Sequence, residues 1–178
     1  FSWERVAHRA LNVLKHSTRK KKSSDSSLTP THPNLAYVSP LPPDHTGIAD
    51  YSVELLPHLK AYYSITCIVP NPKEIQAQNP ELVVQSIDWF ENNYQAFDRV
   101  VYQFGNSSFH THMVSLLEKI PGITVLHDFF LNGPFLDSSQ HFREELYRSH
   151  GYAALKYLAE HDITESCRKY PTNRSIIE

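Results

Sequence analysis

Residues 35–52 read Leu35-Ala36-Tyr37-Val38-Ser39-Pro40-Leu41-Pro42-Pro43-Asp44-His45-Thr46-Gly47-Ile48-Ala49-Asp50-Tyr51-Ser52, and this stretch decides the fold class. Its first seven residues form a short apolar run of the kind buried in a parallel sheet. The run stops at a proline cluster that cannot donate to a sheet ladder. Gly47 then stands directly before a helical pattern. Such a junction exposes backbone N–H groups at the positive end of a helix, where phosphate binds without a dedicated side chain. Gly47 admits a plainer account as well, that of a glycine chosen for backbone freedom at a helix start.

Downstream the alternation continues. Strand-like runs at 65–69, 82–85, 99–104 and 123–127 are interleaved with helical patterns at 48–63, 87–94 and 109–120. Alternation of this kind predicts βαβ units, and so an α/β, Rossmann-like parallel sheet flanked by helices. Pro57 falls inside the first helix, where a kink is expected and not a break. From 135 to 170 there is no strand pattern. Phe142, Leu146, Ala153, Tyr157 and Leu158 recur there at roughly helical spacing, with Gly151 expected to separate two helices. The sheet is expected to be incomplete, with further strands supplied by a longer parent protein.

Upstream, Ser2 is placed to cap a helix carrying Trp3, Val6, Ala7, Ala10, Val13 and Leu14 on one face. The basic run Arg19-Lys20-Lys21-Lys22 and the serine-rich stretch after it, ending in Pro30 and Pro33, have the composition of a solvated linker. The expected organisation is a terminal helix over 1–16, a linker over 17–33 and a folded domain over 34–178. The chain begins with Phe1 and its only methionine is Met113, so it reads as an excerpt from a longer protein.

Composition narrows the partners. Hydrophobic residues make up 40% and aromatics 12%, which suits a globular domain, and a formal charge of -2 gives no basic field for nucleic acid. Cys67 and Cys167 are far apart and lie in no metal-finger spacing, which predicts reduced thiols and a cytoplasmic protein. No segment approaches 18 consecutive apolar residues, so no membrane span is expected.

In an open α/β sheet, ligands bind outside the carboxyl ends of the strands. Three such ends carry candidate residues: the loop 42–47, the turn 105–110, and Leu126-His127-Asp128. All three are expected to face one crevice. There is no Gly-x-Gly-x-x-Gly and no Gly-x-x-x-x-Gly-Lys, so neither a dinucleotide fingerprint nor a P-loop is present. Asn106, Ser107 and Ser108 serve either as a helix cap or as ligand contacts. His110 and His112 stand two apart on a helix and point to different faces, which argues against a shared metal. His127 ends a buried apolar strand where the sheet meets solvent, and a neutral imidazole there can accept or donate near pH 7. The competing account of His127 is a ring tied to a backbone carbonyl. His127-Asp128 is also similar to the dyad of metal-dependent phosphohydrolases, with His110 as a third ligand, but that fold is wholly helical and the β-branched run before His127 speaks against it. No Gly-x-Ser-x-Gly elbow supports a serine hydrolase.

Taken together, residues 35–52, Tyr102-Gln103-Phe104-Gly105-Asn106-Ser107 with His110, and Val125-Leu126-His127-Asp128 resemble the N-terminal domain of a family-4 (group 1) retaining glycosyltransferase of GT-B fold. The resemblance covers residues 34–178 and extends to Tyr170-Pro171-Thr172-Asn173-Arg174, which is similar to a segment before that family's next strand. Phe1-Ser2-Trp3-Glu4-Arg5-Val6-Ala7 is similar to the closing helix of a donor-binding domain in the same family, which implies a junction between two glycosyltransferase modules.

The resemblance implies retaining transfer of a sugar from a nucleotide-sugar co-substrate to a glycan or other acceptor, with no further cofactor and no metal. It places Thr46, Gly47 and Ile48 at the donor diphosphate, His127 at the donor sugar and acceptor, and Asn106, Ser107 and His110 at the substrate, while Asp128, grouped with His127 as catalytic, is expected to orient that ring or cap the next turn and not to act as a base. It also implies a cytoplasmic enzyme of polysaccharide biosynthesis, with peripheral association at the inner face of a membrane open to it. The family's donor domain carries two glutamates eight positions apart, and no Glu here has another at that spacing. The transition-state charge must then be stabilised by the missing half, and this chain by itself is expected to be nearly inert. The alternative is a non-catalytic Rossmann-like binding or regulatory domain, which fold class does not exclude.

Overall fold

In the computed structural model of the chain, residues 32–177 are described, together with His8, Arg9, Asn12 and Val13. The expected terminal helix and linker lie outside the described residues, save those four, which are helical and exposed, and His32 and Pro33. The central strand is β1 (Asn34–Val38), whose Leu35, Ala36, Tyr37 and Val38 are wholly buried. Burial on both faces explains its unbroken apolar sequence. Parallel neighbours flank it: β2 (Ser64–Val69) places Ile65 opposite Leu35, and β4 (Arg99–Phe104) places Tyr102 opposite Val38. With β3 (Val84–Ser86) and β5 (Ile123–Leu126) the order is β3-β2-β1-β4-β5. That all-parallel order, reversing between β1 and β4, is the Rossmann-type arrangement predicted from the sequence.

The helices are α1 (Gly47–Leu59), α2 (Pro72–Gln78), α3 (Ile87–Asn93), α4 (Thr111–Lys119), α5 (Ser139–His150), α6 (Tyr152–Glu160), α7 (Ile163–Lys169) and α8 (Arg174–Ile177). α1 runs unbroken through Pro57 and ends at Leu59, short of the Tyr63 predicted. Pro57 is exposed and lies in the last turns, where its missing N–H removes one bond from an end that frays in any case. α2 is absent from the sequence reading because only Ile75 of its seven residues is buried, which leaves no apolar periodicity to detect. β3 begins at Val84, two residues beyond the expected start, and its last residue Ser86 turns the chain into α3 by accepting from the Trp89 N–H at 3.1 Å. Gly151 separates α5 from α6 as predicted, and its φ of 70° is the left-handed region that glycine enters without strain.

One expectation needs correction. β5 is not a buried strand: Ile123, Thr124 and Val125 are half-buried and Leu126 is 38% exposed. It stands last in the strand order, so its apolar β-branched residues reflect an edge of the sheet and not its interior.

The chain divides into two compact units, Phe1–Tyr102 with Ile120–Ile123, and Gln103–Lys119 with Thr124–Glu178. The first has its core in Leu35, Tyr37, Leu55, Leu56, Ile68 and Val100, and the second in Phe104, Met113, Leu116, Phe135, Phe142 and Leu146. Within the second, α5 is tied to α8 by a buried carboxylate: Glu145 Oε1 accepts from the Ser175 N–H at 3.1 Å and from the Ser149 hydroxyl at 3.2 Å. Among the described residues no helix is long and apolar enough to cross a membrane.

In the first unit Tyr102 fixes the approach to β5, its hydroxyl donating to Ile120 O at 2.7 Å. Gly122 lies directly against that tyrosine, and a Cβ there would stand 2.8 Å from both Tyr102 Cε2 and Val100 O. One of these is backbone and cannot swing aside. Gly122→Ala is therefore expected to lower stability by about 1–3 kcal/mol, read as a lower urea midpoint at an unchanged slope.

Candidate functional site

In the first unit the loop after β1 is held from below. The Tyr37 hydroxyl donates to Ser52 Oγ at 3.1 Å, Ser39 Oγ lies 2.7 Å from the same oxygen, and all three residues are buried. Asn79 Nδ2 donates to Pro42 O at 3.0 Å, which ties the proline cluster to the end of α2. Asp44 sits in this loop with its carboxyl pKa raised, mainly by burial and then by Glu74. Thr46 is the N-cap of α1: its Oγ1 accepts from the Ala49 N–H at 3.0 Å. Ala49 and Asp50 donate to Thr46 O, but neither the Gly47 nor the Ile48 N–H donates to any partner among the described residues. Gly47 itself is exposed, and a Cβ on it would meet nothing within 4 Å. Its φ is not in the left-handed region. Neither conformation nor packing thus requires glycine at this position.

In the second unit the ends of β4 and β5 build a separate constellation. His127 continues the strand by donating its N–H to Phe104 O at 2.9 Å. Its ring Nε2 lies 2.8 Å from Oε1 of Gln103, a side chain that is 1% exposed. An amide oxygen only accepts, so Nε2 carries the proton and Nδ1 the lone pair. The His127 residue is open to solvent as a whole, yet desolvation of its ring lowers the pKa below the ordinary 6.5, with Asp128 opposing the shift. At pH 7 this is a neutral imidazole with a fixed tautomer.

Asp128 was expected to orient that ring or to cap the next turn, and its carboxylate bonds elsewhere. The orienting bond comes from Gln103, while Asp128 Oδ2 accepts from the Asn106 backbone N–H at 2.8 Å. The Asn106 side chain is in turn drawn away from helix capping: its Oδ1 accepts from the Gly133 N–H at 2.7 Å. Ser107 occupies the cap position of the short turn Ser108–His110 without making a cap bond, and its hydroxyl lies 3.0 Å from His110 Nδ1. His110 is 1% exposed and stacks on Phe104 at 6.4 Å between centroids. Its Nδ1 also lies 3.3 Å from Ser107 O, and its Nε2 is buried without a partner. Burial lowers its pKa, so the ring stays neutral and presents no nitrogen to solvent. His112 is similar, with a buried, unpartnered Nε2 and a pKa lowered to about 4 by burial and then by His110.

The sequence-predicted residues therefore fall into two groups. Thr46, Gly47 and Ile48 belong to the first unit; Asn106, Ser107, His110, His127 and Asp128 belong to the second. Among the described residues no three His, Cys, Asp or Glu side chains come together to hold a metal. Two residues were missed. Gln103 carried a signal, an amide inside the apolar run Arg99–Phe104, whereas Gly133 acts through a close approach to a segment 27 residues away that no local pattern announces. No family model, no curated protein and no solved structure matches this chain.

The buried histidines set a pH dependence with a definite sign. Unfolded His112 takes up its proton near 6.5 and folded His112 only near 4, so between these values the unfolded state binds more protons. Its stabilising contribution is complete above 6.5 and is lost as pH falls toward about 4, on the order of 3 kcal/mol at most. Urea unfolding at a series of pH values should show this slope. His112→Leu, which also removes an unpartnered buried nitrogen, should flatten it while holding stability at pH 7.

Proposed function

We propose that this chain is the acceptor-side half of a retaining glycosyltransferase, working with a donor-binding half elsewhere in its parent protein. The observation that carries the reading is the start of α1. The Gly47 and Ile48 N–H groups donate to no partner among the described residues, and neither a positive φ nor a Cβ contact there calls for glycine. A diphosphate placed there would be met by those N–H groups and by the positive end of a 13-residue helix, and the open space over Gly47 would let it come close. The neutral His127 ring, oriented by Gln103, suits a second task, contact with a sugar hydroxyl at the strand end.

Positioning and hydrogen bonding are what these residues supply. No glutamate pair of the spacing used on the donor side is present in the chain, so stabilisation of the leaving diphosphate falls to the partner half.

The test is turnover of the full-length parent with a panel of nucleotide sugars, followed by release of nucleoside diphosphate. Activity with at least one donor is expected, and none with any donor would favour a non-catalytic binding domain. Gly47→Val should lower kcat/KM by about tenfold or more, since each lost charge-assisted bond is worth about 1.5–3 kcal/mol. Its melting temperature should not fall, because the added side chain points into open space. Unchanged kinetics would remove the phosphate role from Gly47.

A further inference from the structure

The second unit contains a cleft of about 430 Å³ lined by Asn106, Phe130, Asn132, Gly133, Leu136, Thr164, Cys167 and Arg168. Its volume falls in the range of small-molecule sites. The walls are rigid for identifiable reasons. Asn132 engages both ends of its amide inside the fold, donating from Nδ2 to Cys167 O at 2.8 Å and accepting the Thr172 hydroxyl at Oδ1. Asn173, 8% exposed, donates from Nδ2 to Phe129 O at 2.8 Å, and the Gly133 N–H is fixed on Asn106 Oδ1.

The lining has two chemical faces. One is apolar and open, with Phe130 38% and Leu136 46% exposed. The other consists of donors. The Arg168 guanidinium makes no hydrogen bond or ion pair among the described residues, and neither the Thr164 hydroxyl nor Asn106 Nδ2 has a partner there. No carboxylate lines the cleft. One positive charge, further donors and no acidic group select for an anion, and the adjoining apolar wall selects for an anion that carries a hydrocarbon or aromatic body.

We propose that this cleft is a binding site for a small amphipathic anion, with its phosphate or carboxylate oxygens on Arg168, Asn106 and Thr164 and its apolar part against Phe130 and Leu136. The site does not rest on the glycosyltransferase reading and stands whatever reaction the parent carries out. Arg168 also lies in the last turn of α7, where a cation complements the helix end. A purely structural role of that kind predicts no ligand dependence.

Cys167 provides a reporter. It lines the cleft and is partly accessible, with a thiol pKa raised by burial, while Cys67 is shut in the core with its pKa pushed up to about 12. In the intact chain at mildly alkaline pH, maleimide should label Cys167 and leave Cys67 untouched. Phenyl phosphate should slow that labelling with a Kd of about 1 mM or tighter, and inorganic phosphate and benzyl alcohol should each bind more weakly. Arg168→Gln should weaken phenyl phosphate about tenfold without changing the melting temperature. Leu136→Ser should weaken phenyl phosphate but not inorganic phosphate. Absence of protection at saturating phenyl phosphate, equal protection by benzyl alcohol, or an unchanged Kd in Arg168→Gln would each overturn the proposal.

Discussion

The second unit is organised around a single asparagine. Asn106 stands just past the end of β4, and it is gripped from two directions by chain that folds far from it in sequence. Its N–H is fixed by Asp128, 22 residues on, and its side-chain oxygen by the backbone of Gly133, 27 residues on. The second contact is possible only because Gly133 lacks a side chain: a Cβ there would sit 2.8 Å from Asn106 C and Ser107 N. These three residues fasten the loop after β4 to the segment after β5, and both His127 and the Arg168 cleft inherit their geometry from that knot. Had Asp128 been turned to the histidine instead, the Asn106 N–H would have lost its partner, with a desolvation cost of about 1–3 kcal/mol for any share of that group removed from water.

Polar side chains withdrawn from water do most of the positioning around it. Gln103, Asn132, Thr172 and Asn173 are nearly or wholly buried, and each is bonded to a neighbour that is distant in sequence. A buried amide left unpaired is costly, so such groups hold their loops to one arrangement where apolar packing would tolerate several. The same low-dielectric surroundings keep His110 and His112 neutral. The outcome is a site in which His127 is exposed as a residue and its buried neighbours serve as internal supports.

How far the sequence revealed this depended on the range of the interaction concerned. The parallel sheet was legible because each strand announces itself within a few residues through an apolar run and a turn signal, and Gly151 could be read as a helix break for the same local reason. α2 was illegible because a helix resting on the surface with one buried side chain leaves no periodic trace. β5 was misjudged because an edge strand with β-branched residues has the same composition as an interior one, and only the strand order distinguishes them. At the site, position was visible and partnership was not. His127 could be placed at a strand end, but whether Gln103 or Asp128 would hold its ring depends on how two strand ends lie side by side, which no local spacing records.

The glycines carry this reasoning one step further. Gly122 and Gly133 are explained by what a Cβ would strike, and Gly151 by its positive φ. Each is required by the folded chain itself. Gly47 has neither reason: its backbone is ordinary and the space above it is empty. At an exposed first helical position another residue would have been expected to stabilise the chain by about 0.4–1 kcal/mol, because glycine loses more backbone entropy on folding. Nothing in the described fold offsets that cost at Gly47, which is why the phosphate proposal rests on this residue. On physical grounds Gly47 is therefore a better marker of a ligand than the histidines, whose internal contacts already give them structural work.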